Sequence, residues 1–334
     1  MQRKFSLSKS ISYLTILASG LVGAAAIFAG VFYSDGLWVR QNGTGNCSAA
    51  WSPCAFETAM LKVKPGMIVH LVGTITTPLV FEKSGVEGLP ITFKGGIVDT
   101  LGSDEQNAVL VTGSWIVVDN VEIMHGYDFG IRVKGDHVII KNSKIHDNVT
   151  NPLYRLADGR CNSNNPGGWG SGHRHYIGAD HGQMVDNEVY NNCGEGITAL
   201  QSIDLKIVGN YVYDNFSVGI YIDSSQDVTI RDNIVRASNP DFFRNGLPMR
   251  GISLGEEQYD WADFVQIRNI VIDGNLLDSV GGISFYYEFP DARLEYITIT
   301  NNIFQNVPAP PIALPELEGN VGIVIGENSI QTSE

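Results

Sequence analysis

Apolar residues in this chain fall in short runs, and one phrase recurs around them. It is Asn, a small run of aliphatic or aromatic residues, then Gly-Ile about ten residues on. It reads Asn120-Val-Glu-Ile with Gly130-Ile131, Asn187-Glu-Val-Tyr with Gly196-Ile197, and Asn210-Tyr-Val-Tyr with Gly219-Ile220. Looser copies are Asn142-Ser-Lys-Ile, Asn233-Ile-Val-Arg with Gly251-Ile252, Asn275-Leu-Leu-Asp with Gly282-Ile283, and Asn302-Ile-Phe-Gln. The spacing is 22 residues from Asn120 to Asn142 and 23 from Asn187 to Asn210 and from Asn210 to Asn233. A unit of that length cannot bury its own apolar face, so it must stack on its neighbours. Alternation in Ile220-Tyr-Ile222 and Val228-Thr-Ile230 predicts short strands with one buried face, whereas Ile207 through Tyr213 fits poorly. The Asn is expected at the bend between strands, because it tolerates the left-handed conformation, and stacked copies can hydrogen-bond up a ladder. Gly-Ile supplies a tight bend followed by a core aliphatic.

Before the repeats, Ala55 to Val63 has helical spacing of apolar residues and ends at Pro65-Gly66, so it predicts a helix that caps the first open coil. Strand-like runs follow at Met67–Val72, Leu79–Phe81, Ile91–Phe93, Val109–Val111 and Ile116–Val118. Insertions interrupt the repeats at 149–175, 238–249 and 256–264. Val307 to Pro315 is too proline-rich for a central strand, and the tail after Asn328 is expected to fray.

The N-terminus changes the picture. Arg3, Lys4 and Lys9 precede 25 residues without a formal charge, Ser10 to Ser34. As a helix that is roughly 37 Å, enough to cross a bilayer. A cleaved signal peptide, with Ala24-Ala25-Ala26 at its cleavage site, is the alternative. Ser19, Gly23, Ala26 and Gly30 form one small-residue stripe, the kind that lets membrane helices pack closely. The chain therefore divides into residues 1–35, a membrane anchor or signal peptide, and residues 36–334, an exported domain. The basic flank stays in the cytoplasm. The expected location is the cytoplasmic membrane, single-pass, with a periplasmic or extracellular domain; cleavage would make it secreted.

Four cysteines suit an oxidising compartment: Cys47 and Cys54 for one small loop, Cys161 and Cys193 to tie down an insertion. The net charge of −14 argues against nucleic-acid binding. Charged residues are sparse at 17% and Gly is plentiful at 37, unlike a helical protein.

The pattern over roughly residues 36–330 resembles the right-handed parallel β-helix superfamily, the pectate-lyase-like proteins. Pro65-Gly66-Met-Ile-Val-His-Leu resembles the family's first-coil turn and strand. Gly85-Val-Glu-Gly-Leu-Pro90-Ile-Thr-Phe-Lys-Gly95 resembles its Gly-x-x-Gly-x-Pro-Ile-Thr segment, and Gly194-Glu195-Gly196-Ile197 a phrase of bacterial exported members. The resemblance implies an all-β solenoid of about ten coils. It does not imply one activity, since this fold hosts lyases, hydrolases, epimerases and adhesins.

Using the repeat as a ruler aligns the outward positions. One column holds Arg132, Thr198, Tyr221, Ser253 and Ser284; the next holds Lys134, Leu200, Asp223, Gly255 and Tyr286. Glu195, Glu256 and Glu288 add to that face. The family's lyases use carboxylates that hold calcium and a Lys or Arg base, but Asp223 is the only acid on the two columns, so no dense carboxylate cluster is expected. If the protein is an enzyme, Asp223 and Glu195 are the candidates for acid or metal roles, and Arg250 or Arg132 for the base. His173, His175 and His181 are weak metal candidates, more simply read as a polar strand beside a loop. Tyr154, Trp169, Tyr221, Phe242, Phe243, Trp261 and Tyr286 are the candidate binding-surface rings.

These features favour a non-catalytic subunit, tethered by its N-terminal helix, whose β-helix docks on a larger membrane complex such as an electron-transfer or photosynthetic assembly. No cofactor is expected, and the bilayer and a membrane protein are its partners. The alternative is a secreted polysaccharide-active enzyme or carbohydrate-binding protein, with calcium possible.

Overall fold

The computed structural model describes residues 36–164, 170–260, 262 and 264–332. Its strands form three parallel sheets of eleven, nine and ten strands among the described residues, each sheet taking one strand from successive turns of the chain. This is a parallel β-helix. Strands Leu79–Phe81, Ile91–Lys94, Asn107–Val111 and Ile116–Asp119 lie where the apolar runs predict them. The helix Phe56–Lys62 buries Phe56, Ala59 and Met60 against the first coils, with Phe56 beside Phe81 and Phe93.

The Gly-Ile register holds through the nine-stranded sheet. Ile131, His173, Ile197, Ile220, Ile252 and Ile283 are cross-strand partners in one inward column. All are fully buried. Each isoleucine so buried contributes about 1.5–3 kcal/mol. The Gly works by close approach rather than by a bend at most of these sites. A Cβ on Gly172 would lie 2.5 Å from Nδ2 of Asn192, and one on Gly196 would lie 2.8 Å from Nδ2 of Asn215.

The Asn reading needs a correction. In the ten-stranded sheet Lys144 pairs with Glu188 and Glu122. Asn187 is therefore in step with Ser143 and Val121, one residue after Asn142 and Asn120. The left-handed bend lies at Asn120, Asn142, Asp186, Gly209, Asp232, Gly274 and Asn301, all with φ between 48° and 70°. The residue that follows is the ladder residue. From Asn187 each Nδ2 donates to Oδ1 of the next, through Asn210, Asn233, Asn275, Asn302 and Asn328, at 2.9–3.0 Å. A second ladder joins Asn148, Asn192 and Asn215. The bend at Gly209 also explains the poor fit of Ile207 to Tyr213, which spans two strands of different sheets, Ile203–Val208 and Tyr211–Tyr213. The tail after Asn328 does not fray at once: Ser329–Gln331 pairs with Ile303–Gln305.

Cys47 is bonded to Cys54 and Cys161 to Cys193. The second bridge pins the 149–164 insertion onto the coils, packed with Val149, Phe216 and Phe242. That insertion ends earlier than its composition indicates, because Ser171–His175 is a strand of the nine-stranded sheet.

Candidate functional site

The outward face of the nine-stranded sheet forms a wall. Its central row pairs Arg132, Arg174, Thr198, Tyr221, Ser253 and Ser284 in order. The row beside it pairs Leu200, Asp223, Gly255 and Tyr286. The ruler thus orders the columns correctly but omits Arg174. Gly172-His173 stands where other repeats have Gly-Ile, so a search for Ile passes over this coil. The common spacing, Gly130 to Arg132 and Gly172 to Arg174, was the available signal. The insertion and the segments after Ala237 and Glu256 bank up against this wall and leave a cleft of about 720 Å³. That volume suits a small organic ligand.

One end of the cleft is cationic and aromatic. The guanidinium groups of Arg132 and Arg174 lie 5.0 and 4.9 Å from the Phe129 ring, and that of Arg132 lies 3.8 Å from the Tyr176 ring. Arg174 donates to Oε2 of Glu195 at 2.7 Å and to Oγ of Ser171 at 3.0 Å. The Thr198 hydroxyl donates to the same Glu195 oxygen at 2.7 Å. Glu195 is thereby engaged by its own neighbours. Arg244, Arg250, Tyr286 and Glu288 line the other end.

Between the two ends lies an acidic pair. The Tyr259 hydroxyl is 2.7 Å from Oδ2 of Asp223 and 2.7 Å from Oε2 of Glu257. Tyr221 donates its own hydroxyl to Oε1 of Glu257. Tyr259 has one hydroxyl proton, so satisfying both contacts requires a second proton, held by one carboxyl. Asp223 is the group that holds it. Burial, then the Glu257 charge, push its carboxyl up to about 7, while the hydroxyls of Tyr259 and Ser224 pull the other way. Asp223 is 2% exposed. The loop that brings Glu257 and Tyr259 is anchored at both ends. Buried Glu256 accepts from the backbone N–H of Ile267 at 2.9 Å and of Arg293 at 3.2 Å, and Gln201 donates to the Phe264 carbonyl.

The structure therefore gathers Asp223, Glu195, Arg132, Arg250, Tyr154, Tyr221 and Tyr286 around one cleft. It departs from the sequence reading elsewhere. Carboxylates do converge on this face, because Glu257 and Glu288 enter from loops rather than from the columns. Glu256 is not on the face; it is buried against backbone amides. Phe242 is 5% exposed and packs on the Cys161–Cys193 cluster, so it is not a surface ring, and Phe243 is half-buried against the main core. Glu257, Arg174 and Tyr176 are among the cleft residues that sequence reasoning missed as site residues.

His173 and His175 do share a strand face, but it is the inner one, and both are fully buried. Burial holds the His173 imidazole well below its ordinary range and brings His175 down to about 4. His181 lies outside, 2.8 Å from Asp204. Among the described residues no group of three or more His, Cys, Asp or Glu is placed to hold a metal ion. Calcium needs six to eight oxygens with several free carboxylates. Here hydroxyls of Tyr221, Tyr259 and Ser224 occupy the oxygens of Glu257 and Asp223, so this donor set does not fit calcium. Trp169, Trp261, the stripe Ser19, Gly23, Ala26 and Gly30, and the whole of residues 1–35 lie outside the described residues. Among those described, no helix is long and apolar enough to cross a membrane.

A family model described as a right handed beta helix region matches residues 103–247. Among solved structures, the chain is similar to pectate lyase Pel9A at 16% identity and a TM-score of 0.54, covering 90% of this chain and 81% of that one. It is also similar to a rhamnogalacturonan lyase at 12% identity and a TM-score of 0.52, covering 90% and 87%. No curated protein sequence matches it significantly. These likenesses establish the fold, a right-handed parallel β-helix.

Proposed function

We propose that the cleft binds an acidic oligosaccharide and cleaves it by acid–base chemistry at the Asp223–Glu257 pair. The observation that carries this reading is the hydroxyl-bridged pair itself: two carboxyls on the cleft wall sharing one Tyr259 hydroxyl, one of them pushed up to a pKa of about 7 by burial. A carboxyl with that affinity for protons is suited to protonate a leaving oxygen at pH 7. Four arginines along the cleft supply cations for carboxylate or sulfate groups, and the exposed Tyr286 supplies a ring face for a sugar. Both solved neighbours with the same overall fold are titled as lyases of acidic glycans, which agrees with this reading without assigning it.

In this reading the glycan lies along the wall with an acidic group at the Arg132–Arg174 end. Asp223 gives its proton to the glycosidic oxygen as the bond from that oxygen to the sugar carbon breaks, and Glu257 is the partner base. It takes a proton from the water that adds to that carbon in hydrolysis, or from the carbon beside the sugar's acid group as the double bond forms in elimination. The activity would be exported, as the two disulfides favour, and tethered to the membrane by Ser10–Ser34. The docking-subunit reading loses support because Phe242 is packed inside and Phe243 is half-buried.

The test incubates the full-length protein with pectate, alginate, hyaluronan and a neutral glucan. Expected are new chain ends from an acidic glycan and none from the glucan. Ultraviolet absorbance of the products separates elimination, which leaves a conjugated double bond, from hydrolysis, which does not. If no acidic glycan is bound or cut, the reading is wrong.

A further inference from the structure

We propose that Tyr259 is a built-in stand-in for a substrate hydroxyl, covering the Asp223–Glu257 pair until a glycan displaces it. This rests on reading the cleft as a glycan site. Two contacts of 2.7 Å put the bridged carboxylate oxygens no more than twice that distance apart, with one oxygen between them. Carboxyl pairs at about that separation flank the scissile oxygen in glycan-cleaving sites. A phenol and a sugar hydroxyl present the same chemistry there, one donor proton and one acceptor oxygen. The Tyr259 oxygen therefore occupies the place that a substrate oxygen must take.

Three further observations agree. Asp223 points out of an exterior sheet face, yet it is 2% exposed, and the hydroxyls that close over the pair belong to Tyr259 and Tyr221. Tyr259 comes from a connecting segment rather than from the wall. Its neighbours Gln258 and Asp260 are exposed on either side, so the ring alone is turned inward. Gly255, the cross-strand partner of Asp223, has no side chain, and a Cβ there would collide with the Tyr221 hydroxyl. The wall is thus cut back where the tyrosines enter. Asp223 cannot reach a substrate while Tyr259 is seated, so the resting site is closed by its own chain. Glycan binding must compete with an intramolecular occupant, and that competition weakens the apparent affinity.

The experiment uses the full chain and two variants, Tyr259→Ala and Tyr259→Phe, each checked for folding by its unfolding midpoint. A water-soluble carbodiimide labels accessible carboxyls, and peptide mass analysis follows Asp223. Removing the cover should speed Asp223 labelling about tenfold in Tyr259→Ala and tighten binding of a polygalacturonate fragment by a similar factor. Tyr259→Phe keeps the ring and loses the bridge, so its labelling should rise by a smaller factor. It serves alone if the alanine variant fails to fold. Labelling equal to wild type in the folded variants overturns the proposal. Faster labelling with weaker glycan binding also overturns it, because Tyr259 would then be a binding group. Faster labelling with no glycan bound by any form leaves the cover standing and removes the glycan reading instead.

Discussion

Oδ1 of Asn210 accepts two hydrogen bonds from Asn187, one from its backbone N–H and one from its Nδ2, both 3.0 Å long. A single buried amide oxygen thus holds two donors of the preceding coil, and the same double contact recurs between Asn210 and Asn233. Asn210→Ala would strand the backbone N–H of Asn187 and leave one of the two Nδ2 protons of Asn187 unpaired beside its bond to the Ile140 carbonyl, in a region where Asn210 is 1% exposed. Buried unsatisfied donors cost about 1–3 kcal/mol each, so the variant should lose roughly 2–4 kcal/mol of stability. Urea unfolding measures it. A loss no larger than that of an exposed Glu82→Ala control would mean the ladder is ornamental.

The His173 imidazole stands between Ile131 and Ile197, and neither ring nitrogen meets a hydrogen-bond partner among the described residues. Burial, then the neighbouring His175, hold its pKa well below 6.5. The native state therefore keeps it neutral while the unfolded state takes up a proton as pH falls below about 6.5. Stability is lost toward acid. His173→Ile should be more stable than wild type at pH 7.5 by ~1–3 kcal/mol, and the gap should widen by pH 5. Thermal melts at both values decide it; a gap independent of pH would show that this imidazole does not titrate differently in the two states.

Asp223 is a conflict between activity and stability. Its folded pKa of about 7 lies above the ordinary 3.8, so the native state binds the extra proton between those values. Stability from this group is present at low pH and is lost as pH rises through 7. Asp223→Asn should therefore stabilise the protein at pH 8 and do little at pH 4, while glycan cleavage falls at least ~100-fold. In the wild type, cleavage should decline as pH rises past 7, where the donor proton is gone. A variant that retains activity would remove Asp223 from the chemistry.

Reduction of the Cys161–Cys193 bridge should free the insertion that carries Tyr154 to the cleft. Arg155 donates to the carbonyls of Asn148 and Asn191, so trypsin should cut there slowly while that segment is seated. Cys161→Ser with Cys193→Ser should accelerate cleavage at Arg155 and Arg160 without collapsing the coils, which the ladder from Asn187 to Asn328 holds independently of the bridge. Mass analysis of the first fragments shows it. An unchanged cleavage rate would place the seating in the Phe216–Phe242 packing rather than in the bridge.

Arg174 tests the cationic end. Arg174→Ala leaves Glu195 with the Thr198 and Ser171 hydroxyls but removes one cation from the cleft. Binding of an acidic glycan should weaken roughly 10-fold or more, with Arg174→Lys recovering only part of it because the paired guanidinium contacts are lost. Equal binding by all three forms would mean that the acidic groups lie at Arg244 and Arg250.

The order of columns on the wall, the core isoleucines and the capping helix were legible in the chain because each is a repeat-scale property. One coil contacts the next, so the register Gly-Ile to Gly-Ile is nearly local information, and Asp223 could be set beside Leu200 and Gly255 by counting. The small errors are of the same kind. Asn120 and Asn187 looked equivalent because Asn serves both the left-handed bend and the ladder residue after it, and His173 hid one coil by replacing Ile. The site itself was legible only by halves. Asp223, Arg132 and Tyr221 stand on the strands that counting can reach. Glu257 and Tyr259, 36 residues beyond Asp223 in the case of Tyr259, meet it only because an irregular connection folds back over the wall. No period governs such a connection. Its course depends on where Glu256 finds backbone amides to satisfy its buried carboxylate, which is a property of the assembled coils. The sequence alone thus determined the solenoid and the orientation of its outward side chains. Tertiary structure decided which carboxyls meet, which aromatic rings are buried, and that a tyrosine hydroxyl sits between the two acids.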